Sequence, residues 1–268
     1  MARVIRWTEG DLDLYRLDAE PRLVREQGLF VAEGRLVVQR MIEDRRCAVR
    51  SLLLSDSALR ELEAVLVLLP AELPVYLCGP RDFQHITGFD IHRGCLALAE
   101  RPGEAALERL LAGARLVVVL EAVANADNVG GVFRNAAAFG VDAVLLSPAC
   151  CDPLYRKAIR TSMGATLRIP FARVQDWPGG LSLVDQAGLR LVALTPRAPA
   201  ETIDAYVQRE SAPRLALLLG SEGPGLSAAA ESLAHDRLRI PIRPEVDSLN
   251  VAVAAGITLS RLSRPTVT

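Results

Sequence analysis

From Gly113 onward, short aliphatic runs alternate with helix-patterned stretches, and this alternation limits the chain to few folds. The runs are RLVVVLEAV, VDAVLL, LRIPF, LRLVALT near residue 192, RLALLLG ending at Gly220 and RLRIPI ending at Ile242. Between them lie a glycine-opened amphipathic stretch to Phe139, a polar helix and a final helix from about Ser248 to Leu262. Strand, crossover helix and strand in repetition predict an α/β fold around a mostly parallel sheet of about six strands. Each run is well under the ~20 apolar residues that span a bilayer. The opening MARVIRWTEGDLDLY has no apolar stretch after its basic residues. The reading is therefore of a cytoplasmic chain with no membrane segment.

The first ~98 residues have another rhythm, and a chain of this length can bury two small cores. An Arg- and Glu-rich helical start leads to a strand at GLFVAEG, the helix RLVVQRMIEDR, and further apolar runs SLLLS, VYLCG and GCLALAE. This predicts a second, smaller α/β unit. Pro102 and Gly103 break the last strand, and the boundary falls near Arg101. The expected organisation is a unit over 1–100, a linker over 101–113 and a unit over 114–268.

Composition narrows the chemistry. Half the residues are hydrophobic and 24% charged, a globular mixture rather than a disordered one. The net charge of −1 leaves no polycationic tail, so a nucleic-acid partner has to meet a local basic patch. The five cysteines, Cys47, Cys78, Cys95, Cys150 and Cys151, are odd in number and contain no C-x-x-C pair. Reduced, mostly buried thiols are expected rather than a disulfide framework or zinc cluster, and adjacent Cys150 and Cys151 rarely reach disulfide geometry. His85, His92 and His235 are scattered, so no metal site is expected.

Three segments carry candidate chemistry. In NADNVGGVFRNAAAFGVDAVLL, a strand ends in a polar loop, two glycines open a helix, and Arg134 follows. Ligands of open α/β sheets bind beyond strand C-termini, where this loop sits. Asp127 or Asn128 as an ordinary helix cap is the competing reading. In LLLGSEGPGLS, a strand runs into a turn spaced G-x-x-G-x-G, which is neither the dinucleotide fingerprint nor a P-loop. Its glycines let backbone amides approach a ligand, and Glu222 tolerates a cationic sulfonium while repelling phosphate; a bare tight turn explains it equally well. In RIPIRPEVDSLNVAVAAGITL, Ser248 reads as a helix cap and Asn250 as polarity in the first turn, or both as site residues. YRKAIR, with Arg168 and Arg173 beyond it, is either a phosphate-contacting patch or a solvated helix face.

Taken together, Asn128, Gly130 and Arg134, the G-S-E-G-P-G-L turn, and I-P-I followed by S-L-N-V-A-V-A closely resemble the three motifs of the SpoU/TrmH family of RNA 2′-O-methyltransferases, within the SPOUT superfamily. RTSMGATLRIPF looks like the family's S-x-G-A stretch. FVAEGRLVVQRMI and the D-I-H-R-G segment near His92 are similar, more loosely, to its small RNA-binding domain. Asn125-Ala126 stands where the family usually has Asp-Pro, and Arg93 where Gln is frequent.

The resemblance implies a C-terminal sheet with a deep trefoil knot, a ribosomal-protein-L30e-like N-terminal domain, and S-adenosylmethionine as cofactor. Carried over by position, Thr195, Gly220, Ile240 and Leu249 bind the cofactor, and Arg134, Asn128, Glu222, Asn250 and Ser248 form the catalytic set. A guanidinium is a poor base, so Arg134 is expected to hold a phosphate or stabilise a developing alkoxide. Glu33, Arg35, Arg156, Lys157 and Arg160 are the expected RNA contacts, the RNA being rRNA or tRNA, and a homodimer through the C-terminal domain is implied. The readings set against this are a non-catalytic RNA-binding protein that kept the fold, and a nucleotide-binding oxidoreductase. Within the enzyme reading, an antibiotic-resistance rRNA methyltransferase shares the motifs.

Overall fold

A computed structural model describes residues 3–5, 9–79, 83–84, 86, 94–103, 105–209, 214–243 and 245–263. The chain forms two compact units, Met1–Gly103 together with Pro153–Arg168, and Glu104–Asp152 together with Ile169–Thr268. A single boundary near Arg101 does not capture the excursion of residues 153–168, which pack with the first unit. His85, His92, Arg93 and most of the D-I-H-R-G segment lie outside the described residues.

The first unit is built on a five-stranded sheet in the order β1-β4-β3-β5-β2. Its strands are β1 (Arg3–Ile5), β2 (Leu29–Glu33), β3 (Val49–Leu54), β4 (Pro74–Leu77) and β5 (Cys95–Glu100). β1, β4 and β3 run parallel, while β5 is antiparallel to both β3 and β2. Helix α1 (Arg35–Asp44) buries Val37, Val38, Met41 and Ile42, the one-sided stripe that a 3.6-residue period gives. Helix α2 (Asp56–Leu66) starts at Ser55, whose hydroxyl accepts from Ala58 N at 3.2 Å. The expected helical start is instead β1, a 3-10 segment Glu9–Tyr15 and short helical turns over residues 20–27. Tyr15, fully buried, ties this segment to the sheet through a 2.7 Å bond to Ser51 Oγ.

The second unit holds a seven-stranded, wholly parallel sheet in the order β10-β12-β9-β11-β6-β7-β8. In chain order its strands are β6 (Leu116–Glu121), β7 (Ala143–Leu146), β8 (Phe171–Arg173), β9 (Arg190–Leu194), β10 (Glu201–Thr202), β11 (Leu215–Gly220) and β12 (Asp236–Arg239). Residues on both faces of β6 and β7 are buried, which is why these strands read as unbroken aliphatic runs rather than alternating ones. Two expected strands are displaced. LRIPF contains the end of a 3-10 turn, and β8 begins only after Pro170; β12 stops at Arg239, before Ile240-Pro241. Proline has no N–H for a ladder bond, so it stands beside these strands rather than inside them. The two-residue edge strand β10 has too little apolar pattern to be read from sequence.

Helix α3 (Ala126–Ala138) follows β6, and helix α4 (Val251–Leu262) ends the described chain. They pack nearly backbone to backbone. A Cβ on Gly131 would stand 2.6 Å from Ala252 Cβ, and Asn135 Nδ2 donates to Ala252 O at 2.6 Å. The five cysteines are free thiols, four of them buried. No helix among the described residues is long and apolar enough to cross a membrane.

Candidate active site

Because every strand of the second unit is parallel, β6, β9 and β11 deliver their C-terminal ends to one edge, with Gly220 in register with Glu121. A cavity of about 430 Å³ opens there. Leu194, Leu219, Ile240 and Leu249 give it apolar walls, while Arg197, Glu222 and Asp247 bring charge to its lining. Thr195, Gly220, Ile240 and Leu249, the positions matched to cofactor binding, all line this cavity.

Gly220 is obligatory for the turn's geometry. Its missing Cβ would lie 2.3 Å from Gly225 C and 2.4 Å from Leu226 N, because residues 221–225 fold straight back over the strand end. Gly223 and Gly225 have φ of +87° and +70°, conformations that side chains resist. Leu226 then plugs into the core beside Val119 and Leu218, and Ser227 caps the next short helix.

Two residues that the sequence motifs do not mark anchor this turn. Buried Glu121 accepts from Ser227 N (2.9 Å), Ser227 Oγ (2.7 Å) and Trp177 Nε1 (2.8 Å). Arg197 donates to Pro224 O (2.8 Å) and Leu226 O (3.2 Å) and pairs with buried Glu231 at 3.1 Å. A carboxylate ending an aliphatic run, as in LVVVLE, is the one signal that could have found Glu121; nothing local marks Arg197.

Asn250 is the N-cap of α4: its Oδ1 accepts from Ala252 N (2.9 Å) and Val253 N (3.3 Å). Backbone N–H groups only donate, so this contact fixes which end of the amide is oxygen. The Nδ2 group therefore points away from the helix, and it donates to Asn128 Oδ1 and Glu222 Oε1, each at 2.8 Å. Three residues from three distant motifs thus meet in one network. Ser248 does not cap the helix, contrary to the capping reading: it is exposed and makes no hydrogen bond among the described residues, although it lines the cavity.

α3 starts at Asn125, whose Oδ1 accepts from Asp127 N at 2.8 Å, so neither Asp127 nor Asn128 is the cap. Asparagine fills the capping role that aspartate would, and Ala126 takes the first helical position, where proline is tolerated. Asn128 is buried, whereas Arg134 is exposed further along α3. Among the described residues Arg134 makes no hydrogen bond or ion pair, so its guanidinium is available to an anion.

The expected RNA contacts lie in the first unit and divide sharply. Arg156 is 2% exposed: its Nη2 donates to Tyr15 O at 2.8 Å and its backbone N donates to Glu20 Oε1. Burial lowers its pKa. It is a core residue, not a phosphate contact. Glu33 is buried as well and accepts from Arg160 Nη1 at 3.2 Å, while Arg35 is engaged by Glu61 and by Ser57 Oγ. Lys157 and Arg160 are exposed. Arg168 pairs with Asp44 at 3.0 Å. In the second unit, Arg173 is spent on Cys150 O (3.1 Å) and Asp152 (3.3 Å), and it staples the loop after β7. Residue types alone do not separate a buried guanidinium from a solvated one.

No group of three or more His, Cys, Asp or Glu side chains among the described residues could hold a metal ion. His235 is structural: its Nδ1 accepts from Leu191 N at 3.1 Å, and its Nε2 faces Asp185 at 3.1 Å.

Residues 115–260 match the model of the SpoU rRNA Methylase family. An uncharacterized tRNA/rRNA methyltransferase of Mycobacterium tuberculosis is 42% identical over 252 residues, covering 94% of this chain and 86% of that one. The 23S rRNA (guanosine(2553)-2′-O)-methyltransferase of Bacillus subtilis is 32% identical over 189 residues, covering 70% of this chain and 71% of the relative. Among solved structures, an AdoMet-bound rRNA methyltransferase from Sinorhizobium meliloti superposes with a TM-score of 0.79 at 23% identity, over 97% of both chains.

Proposed function

Since the chain belongs to the SpoU rRNA methylase family, we propose that it transfers a methyl group from S-adenosylmethionine to a ribose 2′-hydroxyl of structured rRNA or tRNA in the cytoplasm. The observation that carries the reading is the meeting of Asn128 and Asn250 with Glu222, which lines the cavity, while Arg134 makes no hydrogen bond or ion pair among the described residues. The Bacillus relative, named for a guanosine 2′-O-methylation, supports the ribose as acceptor.

S-adenosylmethionine fits the residues present. The cavity volume lies in the range of small-molecule sites, its apolar walls suit a purine, and Asp247 favours a sulfonium over an anion. Thr195, Gly220, Ile240 and Leu249, which line the cavity, hold it, and Gly220 allows the turn over residues 221–225 to close against the strand end. When bound, the cofactor supplies the electrophilic methyl group. The protein's task is orientation of the ribose oxygen, to which Asn128 contributes an amide, with Arg134 gripping the adjacent phosphate. The methyl donor needs no metal.

In this reading the second unit carries the trefoil knot that the family resemblance implies. The first unit is the RNA-binding domain, related to ribosomal proteins, with Lys157 and Arg160 among its exposed cations. A homodimer through the second unit is supported by Val253 and Ile257, one turn apart and exposed on α4, and by exposed Ile242 and Val246 in the segment before it.

The test is transfer of labelled methyl from S-adenosylmethionine to total bacterial RNA, including undermodified pools, by wild type and Arg134→Ala. Alkali-resistant 2′-O-methylribose, lost in the variant, is the expected result. A folded, cofactor-binding wild type that labels no RNA would instead establish the non-catalytic binding reading.

A further inference from the structure

We propose that Glu222 is the proton acceptor of this site, its Oε2 taking the proton of the ribose 2′-hydroxyl. The inference rests on the ribose-methylation reading above and adds to it the group that removes the proton.

The argument starts at the helix cap. With Asn250 Oδ1 committed to Ala252 and Val253, the Asn250 amide donates both its hydrogens outward, one to Asn128 and one to Glu222. Asn128 therefore presents its oxygen to Asn250 and keeps its Nδ2 for another acceptor. Glu222 likewise keeps Oε2, because Oε1 receives the Asn250 hydrogen and Glu222 makes no other bond among the described residues. One donor and one carboxylate oxygen are thus left around a shared amide. A hydroxyl that is both acceptor and donor matches that pair: its lone pair meets Asn128 Nδ2 and its proton meets Glu222 Oε2.

The inventory of side chains leaves Glu222 as the base. Among the described residues no His, Lys, Cys or Tyr lines the cavity. Arg134 and Arg197 hold guanidinium groups that do not act as bases near neutral pH. Asp247 lines the cavity too, but only Glu222 is bonded to the amide that also orients Asn128. The remaining charged groups on the elements around Glu222 are Arg197 after β9, Arg243, Glu245 and Asp247 before α4, and Asp127 and Arg134 on α3.

The step balances. The O–H electron pair of the ribose hydroxyl becomes the new O–C bond, the C–S pair leaves on sulfur as a neutral thioether, and the proton rests on Glu222 Oε2. Solvent then takes that proton, since Glu222 is exposed.

Glu222→Gln tests this, because the amide keeps an acceptor for Asn250 and removes the base. The expected result is a fall in kcat of at least about 100-fold at saturating S-adenosylmethionine, with cofactor affinity by calorimetry within about threefold. The acid limb of the kcat–pH profile should disappear in Glu222→Gln and persist in Glu222→Asp, which retains a carboxylate. A smaller fall, an acid limb that survives in Glu222→Gln, one that is lost in Glu222→Asp, or a cofactor affinity that collapses overturns the proposal. A wild type that forms no 2′-O-methylribose is a different failure: it removes the reading on which the proposal stands.

Discussion

Asn250 donates to Asn128 Oδ1 at 2.8 Å with the same amide whose oxygen caps α4, so the polarity of the site is fixed by the start of a helix. The two roles can be separated. In Asn250→Ser the hydroxyl still caps the helix, and stability should stay within about 0.5 kcal/mol of wild type. Asn250→Ala loses the cap and should cost about 1 kcal/mol. Both variants leave Asn128 and Glu222 without their shared donor, so both should lose methyl transfer to a similar degree. Urea unfolding paired with methyl-transfer kinetics checks this; a Ser variant with wild-type turnover would detach Asn250 from the chemistry.

Ala126 occupies the first helical position of α3, and Asn125 before it has φ −81° and ψ 123°, the extended backbone that a following proline requires. Ala126→Pro should therefore stabilise the protein by about 0.4–1 kcal/mol, by restricting the unfolded chain without removing a helical hydrogen bond. A raised melting temperature with unchanged activity is the expected outcome, and a lowered one would show that the loop before α3 needs a freer backbone.

A methyl group at Gly220 would meet backbone atoms at 2.3 and 2.4 Å, whereas one at Gly223 would meet nothing within 4 Å. Gly220→Ala should force the turn open, costing about 1–3 kcal/mol and abolishing cofactor binding. Gly223→Ala meets only the strain of its φ of +87°, about 1–2 kcal/mol, and should still bind. Calorimetric titration of both variants with S-adenosylmethionine separates steric closure from backbone strain.

Alkali should destabilise the fold before it breaks covalent bonds. Burial pushes the Cys47 thiol up to about 11 and the Cys95 thiol up to about 12, from an ordinary value of 9.0. Burial also raises Tyr15 above its ordinary 10.0. Each folded-state value lies above the unfolded one, so the stabilisation is complete below pH about 9 and is lost as pH climbs through the folded values. Urea midpoints should be level from pH 7 to 8.5 and fall steadily from pH 9 to 11. Cys95→Ala should shallow that decline, and an unchanged slope would remove Cys95 as a contributor.

Most strands of the second unit are legible in the chain because they are buried on both faces, and burial of that kind forces continuous aliphatic runs such as Val117–Leu120 and Leu215–Leu219. The motif residues are legible because glycines and short amides at strand ends have few structural reasons to cluster. Local sequence does not show which amide caps which helix. Ser248 and Asn250 are both capable of capping α4, and it is Asn250 that caps it, with its amide also bonded to Asn128 on α3. The same limit hides Arg156. Its side chain reads as a surface cation beside Lys157, yet residues 153–168 pack with the first unit and bury it against Tyr15. Periodicity reports which face of an element is apolar, so the sequence determined most strands of the second unit, its glycine turn and a set of candidate site residues. Which donor meets which acceptor depends on contacts between residues far apart in the chain, as when Asn128, Glu222 and Asn250 meet at 2.8 Å, and only the tertiary structure decided that.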